Sequence, residues 1–598
     1  LALLPTGGGK SICYQIPALA KEGVCIVISP LIALMMDQVN HLKKKNINAE
    51  CIHSNNSKKD IDRILDNCIY GNVKLLYLSP ERIKTTLFKE RFKKMNVSFI
   101  AIDEAHCISQ WGYDFRPSYL EISELRNIKP EIPFIALTAT ATSTVCSDIQ
   151  QKLLFKVKNT IRDSFLRKNL CYSVVNPINK YDFLVTTINK KTECTIIYVR
   201  TRKMCVTLFN LLKSKGIKST IYHAGLDHQT RTQSQDKWMD GTMDIMIATS
   251  AFGMGIDKQN VRTVINFDIP ESIESYYQEA GRAGRDNNKA HSILLVENSD
   301  KTNLINRVKK TYPTLEIIKN IYQKFCNIQQ IAIGSGQDNI YPLNYNTISS
   351  LTEYSTLEVF HAFRLIELSG YITISNSKLN SSELKIDLSK RELILFIDKN
   401  NNYEDIVNVL IRSYSSIMDN YVAINELLLA KRINKNIKQT ELLLKRLDTL
   451  NIVSYKQNTA DINLIFNTPR VDVKSLEIKN EIYSDKIKND LERVNSILDY
   501  SFNHKACRNK ILLNYFGENL KLDCLICDNC KAKNNENLNE ISLEIIKILR
   551  EKPIEIADLY NKLMSNYLKN NIKKVMRKMM DNNKIKMNEL NLIELINK

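Results

Sequence analysis

No uninterrupted apolar run in these 598 residues reaches the ~20 that a membrane-spanning helix needs. The longest candidate, Val24 to Met36, is broken by Pro30 and reads as buried strand and turn. A signal-peptide pattern is also missing. The chain opens at Leu1 inside a strand, without an initiating Met, so upstream sequence is expected to have been lost. A disulfide framework is excluded by spacing: ten of the 14 cysteines, Cys13 to Cys326, are scattered singly through apolar or mixed segments. Those ten are expected to be reduced core thiols, which implies a reducing compartment, cytoplasm or nucleoid. Glycine is rare beyond about residue 300, and no true sequence repeat recurs.

What is present is ordinary in bulk, with 44% apolar and 25% charged residues, except for a net charge of +19. Such an excess of Lys and Arg favours a polyanionic partner, nucleic acid first, because neutralising phosphates releases counterions. A genome rich in A and T would also raise Lys, Asn and Ile, so charge alone does not decide. The length implies about four structural units.

Continuous apolar runs such as Val24–Ile28, Lys74–Leu78, Phe99–Ile102 and Phe134–Leu137 fit central strands of a parallel sheet covered on both faces. A second series, Thr195–Val199, Asp244–Ala248 and Val261–Ile265, predicts a second α/β lobe joined near 160–180. Beyond about 300 helical periodicity dominates and strands become sparse. Val359, Ala362, Phe363 and Ile366 form one apolar helix face, Gly370 stops the helix, and Tyr371–Ile374 alternates like a strand. The same helix-then-strand pattern recurs with Leu443, Leu447 and Leu450 before Ile452–Tyr455, and again from Val575 to Met587.

Between a strand and a helix lies Leu4-Pro5-Thr6-Gly7-Gly8-Gly9-Lys10-Ser11. Its glycines let backbone N–H groups close around phosphates at a helix N-terminus, Lys10 neutralises charge, and Ser11 offers an oxygen to Mg²⁺. Leu4 stands where the strict phosphate-loop pattern has Gly. Asp103-Glu104-Ala105-His106 follows an apolar strand, where Asp103 can hold Mg²⁺ and Glu104 can orient and deprotonate an attacking water. Gln278-Glu279-Ala280-Gly281-Arg282-Ala283-Gly284-Arg285 carries two arginines that could share a helical face and reach a γ-phosphate across a cleft. Such a pair is otherwise just a solvated face. Cys507, Cys524, Cys527 and Cys530 give C-x16-C-x2-C-x2-C, the ligand set of a closed structural zinc site. An iron–sulfur cluster also takes four cysteines.

The phosphate loop, Asp103–His106 and Tyr276–Asp286, with Ser29–Val39, Leu78–Ile83, Leu137–Thr142, His223–Leu226 and Thr249–Lys258, resemble in order the motor motifs of superfamily-two helicases. The segment Ala105–Pro117 is similar to the aromatic-rich loop of the RecQ family, and Leu512–Glu518 to another hallmark of that family. In that loop Trp111, Tyr113 and Phe115 supply stacking faces and Arg116 a phosphate contact, although an aromatic cluster can equally be core. The resemblance implies that the loop, with His106, couples DNA contact to ATP hydrolysis.

It further implies an ATP-dependent DNA helicase using ATP, Mg²⁺ and Zn²⁺, moving 3′ to 5′ in repair, recombination or replication. Expected partners are DNA at single-strand/duplex junctions, a single-stranded-DNA-binding protein and a topoisomerase, with no membrane. An RNA helicase or non-unwinding translocase is the alternative within the superfamily, and a non-catalytic DNA-binding protein the alternative outside it. The expected architecture is two tandem RecA-like α/β lobes, 1–165 and 166–304, an inserted winged-helix-like region 305–480, a zinc-binding segment 481–534 and a helical or winged-helix-like end, 535–598. The insert departs from the family pattern, since 222 positions separate Arg285 from Cys507. It is expected to hold two winged-helix-like units that grip duplex DNA, with charge from Lys431, Arg432, Lys435 and Lys438.

Overall fold

The runs expected to be central strands form two parallel sheets. The first orders its strands β3-β4-β2-β5-β6-β1-β7, with β1 Ala2–Leu3, β2 Val24–Ile28, β3 Ala49–Ile52, β4 Leu75–Leu78, β5 Val97–Ile102, β6 Phe134–Thr138 and β7 Ile161–Arg162. Every residue of β2 and β4 is buried, so neither strand alternates, as expected when helices cover both faces. The second sheet is ordered β10-β11-β9-β12-β13-β8. Its strands are β8 Leu170–Val175, β9 Thr195–Tyr198, β10 Ser219–Tyr222, β11 Ile245–Ala248, β12 Thr263–Asn266 and β13 Ala290–Leu295. All pairings in both sheets are parallel. Two RecA-like lobes result.

This computed structural model describes the chain apart from residues 6, 54–55, 110, 113–114, 190–192, 254–257, 376–381, 415, 425, 457–461, 565–566, 568, 589–591 and 597–598. The chain divides into two compact units, one joining 1–305 to 489–598 and the other holding 306–488. Among the described residues no helix is long and apolar enough to cross a membrane.

In the first unit the connection between the lobes is held by the Leu512–Glu518 segment. Phe165 stacks on Phe516 with ring centroids 4.8 Å apart, and its backbone N–H donates to the Glu518 carboxylate at 2.9 Å. The C-terminal end then runs through helix Asp528–Glu551, β20 Ile554–Glu555, helices Ile556–Met564 and Lys569–Asp581, β21 Ile585–Met587 and β22 Leu592–Leu595. Its antiparallel sheet is ordered β20-β22-β21, the winged-helix arrangement, over a core that includes Ile545, Leu559, Ile572 and Ile593.

The second unit holds that arrangement twice. Its outer copy uses helix Leu315–Ile328, β14 Ile340–Pro342, helices Tyr345–Ser350 and Thr356–Leu368, β15 Ile372–Ser375 and β19 Asn463–Phe466, in the sheet order β14-β19-β15. Between β15 and β19 sits the inner copy. It comprises β16 Ser382–Ile386, helices Lys390–Lys399 and Glu404–Ser413, β17 Val422–Ile424, helices Glu426–Arg432 and Ile437–Thr449, and β18 Val453–Lys456. Its sheet is ordered β17-β16-β18, so the middle strand comes first in sequence rather than last. Each copy has its own core.

The helix face Val359, Ala362, Phe363 and Ile366 is fully buried and Gly370 takes φ +87° as the helix stop, and the two winged-helix units are nested, one inside the other. Helices dominate beyond 300, as expected, and the strands there are two to five residues long, too short for period-2 alternation to register. The strand completing the outer sheet also lies on the far side of the inner copy, where no local pattern could assign it.

Candidate nucleotide site, aromatic loop and zinc centre

The phosphate loop leaves β1 and enters helix Ile12–Ala20. Gly7 and Gly9 take φ +83° and +75°, conformations that a side chain disfavours, and the Gly8 N–H donates to the Pro5 carbonyl at 2.9 Å. Thr6 lies outside the described residues. Strand β6 lies between β5 and β1, so three adjacent C-terminal ends bring Thr138, the Asp103-Glu104 pair and Lys10 together, the usual ligand edge of such a sheet.

The charges there act on one another. Burial lowers the Lys10 pKa, Glu104 and Asp103 oppose that, and Arg285 and Arg282 lower it further. Burial, then Glu104, raise Asp103 to about 7, while Lys10 pulls it down. Five of the expected site residues thus share one electrostatic neighbourhood drawn from both lobes. Glu104 itself takes a left-handed backbone with φ +46°, a strained conformation of the kind that collects at functional sites.

A polar chain leads from Glu104 across to the second lobe. His106 is buried, with Nδ1 3.3 Å from the Glu104 carboxylate and 2.9 Å from Thr138 Oγ1. The Thr140 backbone N–H donates to that same Thr138 oxygen at 3.3 Å, and Gln278 Nε2 donates to Thr140 Oγ1 at 3.2 Å. In the sequence, Leu137–Thr142 is recognisable only as a motif, with no task for these hydroxyls. Their position at a strand's C-terminal end was the available signal.

The arginines do not share a helical face. Helix Ile273–Ala280 ends before them, and turns follow through Gly281 and Gly284, the latter at φ +63°. Separating them gives each its own contact. Arg282 is buried and donates to the Gly253 carbonyl, where an added Cβ at Gly253 would lie 2.3 Å from the guanidinium carbon. Arg285 instead reaches the phosphate loop, its Cγ 3.4 Å from where a Cβ on Gly7 would stand.

In the aromatic loop Trp111 is 42% exposed, while Phe115 and Arg116 are half-buried. Arg116 donates to the Pro30 carbonyl at 3.0 Å, and Lys152 sits 5.9 Å above the Phe115 ring. Tyr113 lies outside the described residues. Gly112 is confined: a Cβ there would fall 2.3 Å from the His106 carbonyl oxygen. The loop therefore turns directly over the residue that contacts Glu104. Arg493, which sequence reading did not single out, donates to the Trp111 carbonyl from helix Ser484–Phe502.

The four sulfurs of Cys507, Cys524, Cys527 and Cys530 lie within 4.8 Å of one another. Tetrahedral zinc–thiolate bonds of ~2.3 Å would set them ~3.8 Å apart, and Cys524 and Cys530 are 3.9 Å apart. Backbone N–H groups of Cys524 and Cys530 point at the sulfurs of Cys507 and Cys527, at 3.4 and 3.5 Å, which favours thiolates. Buried Arg508 pairs with Asp528 at 2.9 Å, and Asp528 also accepts from the Val174 N–H at 2.8 Å. The metal site is thereby tied to the second lobe.

Two RecA-like lobes carrying this loop, this carboxylate pair and these arginines define a helicase-type motor. Residues 1–149 match the DEAD/DEAH box helicase family and 179–287 the helicase conserved C-terminal domain. Residues 384–457 match a RecQ helicase winged-helix domain of Bacteroidota, and 471–531 the RecQ zinc-binding domain. Two of these four matches are RecQ-specific, so the chain is similar to RecQ helicases in its winged-helix and zinc segments as well as its motor, and Zn²⁺ is the metal that its four cysteines fit. It is 46% identical over 300 residues to the ATP-dependent DNA helicase RecQ of Bacillus subtilis, covering 50% of this chain and 51% of that protein. Identity to the Pasteurella multocida protein of the same name is 43% over 301 residues, 50% of this chain and 48% of the relative. A putative ATP-dependent DNA helicase Q1 of Caenorhabditis elegans is 41% identical over 313 residues, 50% of each chain. The chain spans about half the length of the curated relatives it matches.

Proposed function

We propose that the chain is an ATP- and Mg²⁺-dependent DNA helicase that separates strands while moving 3′ to 5′. The observation that supports this best is the polar chain from Glu104 through His106, Thr138 and Thr140 to Gln278, beside Lys10 and Arg285. It links the carboxylate suited to activating water to the lobe that must move.

In this reading Lys10 and the loop Thr6–Ser11 hold the nucleotide phosphates, and Glu104 orients the attacking water and takes its proton. Arg285, with Arg282 behind it, faces the charge that develops on the transferred phosphoryl group. Asp103 and Ser11 would hold Mg²⁺, which supplies charge neutralisation at the phosphate oxygens. Trp111, Tyr113 and Phe115 offer stacking faces to single-stranded DNA, with Arg116 and His106 carrying the contact inward.

The work divides by segment: 1–165 and 166–304 as the motor, 481–534 as the zinc brace, 305–480 and 535–598 as duplex contacts. Charge distribution refines that division. Helix Lys569–Asp581 exposes Lys573, Lys574, Arg577 and Lys578 opposite its buried face, and the inner winged helix exposes Lys431, Arg432 and Lys435. The Lys438 side chain lies outside the described residues. Helix Thr356–Leu368 of the outer copy instead exposes Leu357 and Phe360 and ion-pairs Arg364 with Glu367, so it suits a groove poorly. The family resemblance adds a nucleoid location, with a single-stranded-DNA-binding protein and a topoisomerase as partners.

Strand separation on 3′-tailed and 5′-tailed duplexes, with Glu104→Gln as control, is the test. ATP-dependent unwinding of the 3′-tailed substrate alone is expected. ATP turnover without unwinding would instead favour a translocase, and preference for an RNA duplex an RNA helicase.

A further inference from the structure

We propose that Arg493 is a positioning residue through which the zinc-binding segment sets how strongly DNA stimulates ATP hydrolysis. It would do so by exchanging between the Trp111 carbonyl and the buried Glu274 carboxylate. This builds on the helicase reading above but concerns a residue outside its motor motifs.

One guanidinium serves three acceptors on three segments. Arg493 donates to the Trp111 carbonyl in the aromatic loop, lies 3.9 Å from Glu274 Oε1, and contacts Asp490 on its own helix at 3.3 Å. Glu274 opens helix Ile273–Ala280, is 4% exposed, and accepts from the Tyr515 hydroxyl at 2.7 Å through Oε1. Its Oε2 is buried with no hydrogen-bond partner among the described residues. A buried carboxylate oxygen left bare is unfavourable, and a closed, bidentate pair with an arginine is the arrangement that would satisfy it. Arg493 is near enough to form that pair and is engaged elsewhere.

The two acceptors lead to opposite sides of the motor. Trp111 precedes Gly112, which is pinned against the His106 carbonyl, and His106 contacts Glu104. Glu274 sits on the helix that carries Gln278 and ends just before Arg282 and Arg285. A base stacking on Trp111 would shift the loop backbone and weaken the hold of its carbonyl on Arg493. The guanidinium would then close on Glu274, favouring one placement of the arginine-bearing segment. Only an element with two discrete arrangements that both sites bias can carry such coupling, and a guanidinium shared between a carbonyl and a half-satisfied carboxylate is one.

The test uses the full chain with zinc content measured throughout. Trp111 is the exposed one of the two tryptophans and Trp238 is fully buried, so a change in emission reads the loop against a constant background. In Arg493→Ala, basal ATP turnover and zinc should stay at wild-type levels. The maximal DNA-stimulated rate should fall about tenfold, within the range a single coupling contact carries, with little change in the DNA concentration giving half-stimulation. The change in Trp111 emission on adding a non-hydrolysable ATP analogue should vanish in this variant, while that on adding oligo-dT persists. Glu274→Gln, which keeps an acceptor for Tyr515 but removes the charge, should show the same split. Wild-type stimulation and wild-type nucleotide-dependent emission in both variants would overturn the proposal. So would loss of zinc or of basal turnover in both, which would make the pair a folding element. Absence of DNA stimulation in the wild type would sink the helicase reading, whereas the emission response would still decide whether Arg493 joins loop to nucleotide.

Discussion

Gln278 Nε2 donates to Thr140 Oγ1 at 3.2 Å, so a residue of the second lobe closes a polar chain that begins at the Glu104 carboxylate of the first. Removing either end of that bond should have the same effect. Gln278→Ala and Thr140→Val are each expected to lower DNA-stimulated ATP turnover by about tenfold, and the double variant to be little worse than either single one. Additive losses in a double-mutant cycle would show that the two residues act separately.

Lys10→Ala and Glu104→Gln should both abolish DNA-stimulated hydrolysis but differ in binding. Lys10 acts on ground-state phosphates, so its loss should weaken nucleotide affinity as well. Glu104 acts on the attacking water, so its variant should bind a fluorescent ATP analogue almost normally. Normal turnover in Glu104→Gln would remove it from the chemistry.

One zinc per chain is expected by elemental analysis, with no visible-wavelength absorption of an iron–sulfur cluster. Structural zinc ligation contributes roughly 10–16 kcal/mol to local folding, so Cys527→Ser should give protease-sensitive protein. Cleavage should be fastest between 503 and 531, the stretch that carries all four ligands and the helix Arg508–Tyr515. A soluble, protease-resistant Cys527→Ser protein would contradict this.

Glu279 offers a pH test. Burial raises its carboxyl to about 7, although the Asn266 amide, donating at 2.5 Å, and Arg282 pull it down. An acid whose folded pKa lies above its unfolded value stabilises while protonated, and that contribution fades as pH rises through 7. Glu279→Gln mimics the protonated form, so it should match the wild type near pH 5 and exceed it by about 1–3 kcal/mol at pH 8. Equal urea midpoints for the second lobe at both pH values would refute the shift.

The 306–488 unit should contribute to duplex affinity through the inner winged helix. Replacing it with a short flexible linker is expected to weaken duplex binding and to make its salt dependence shallower, since fewer phosphates are neutralised. An unchanged salt slope in a folded, ATPase-active variant would exclude a DNA role for the unit.

How far the sequence carried depended on the range of the interactions. Strand β2 was legible because all five of its residues are apolar and buried, and the loop after β1 and the acids after β5 stood out as candidates because ligands bind where strands of such sheets end. The four cysteines were legible by spacing alone. Arg282 and Arg285 were misplaced because an i, i+3 pair suggests a helix, whereas the adjacent Gly281 and Gly284 end it. Trp111 and Arg493 meet from 382 positions apart, and nothing local to either marks the other. The nested winged helices escaped for the same reason: β15 finds its partner β19 only after a complete second copy has intervened.

That nesting imposes an order on biosynthesis. The central strand of the outer sheet, Asn463–Phe466, leaves the ribosome after every residue of the inner copy, so the outer sheet cannot be completed while the inner one is still being made. The inner sheet needs nothing from outside residues 382–456, because its middle strand is supplied first. Once folded, it brings its own two ends near each other and shortens the loop that the outer hairpin must close, replacing a long flexible chain with a compact body. The permuted strand order of the inner copy thereby turns a slow, non-local pairing into the last step of a sequence that runs from the inside outward.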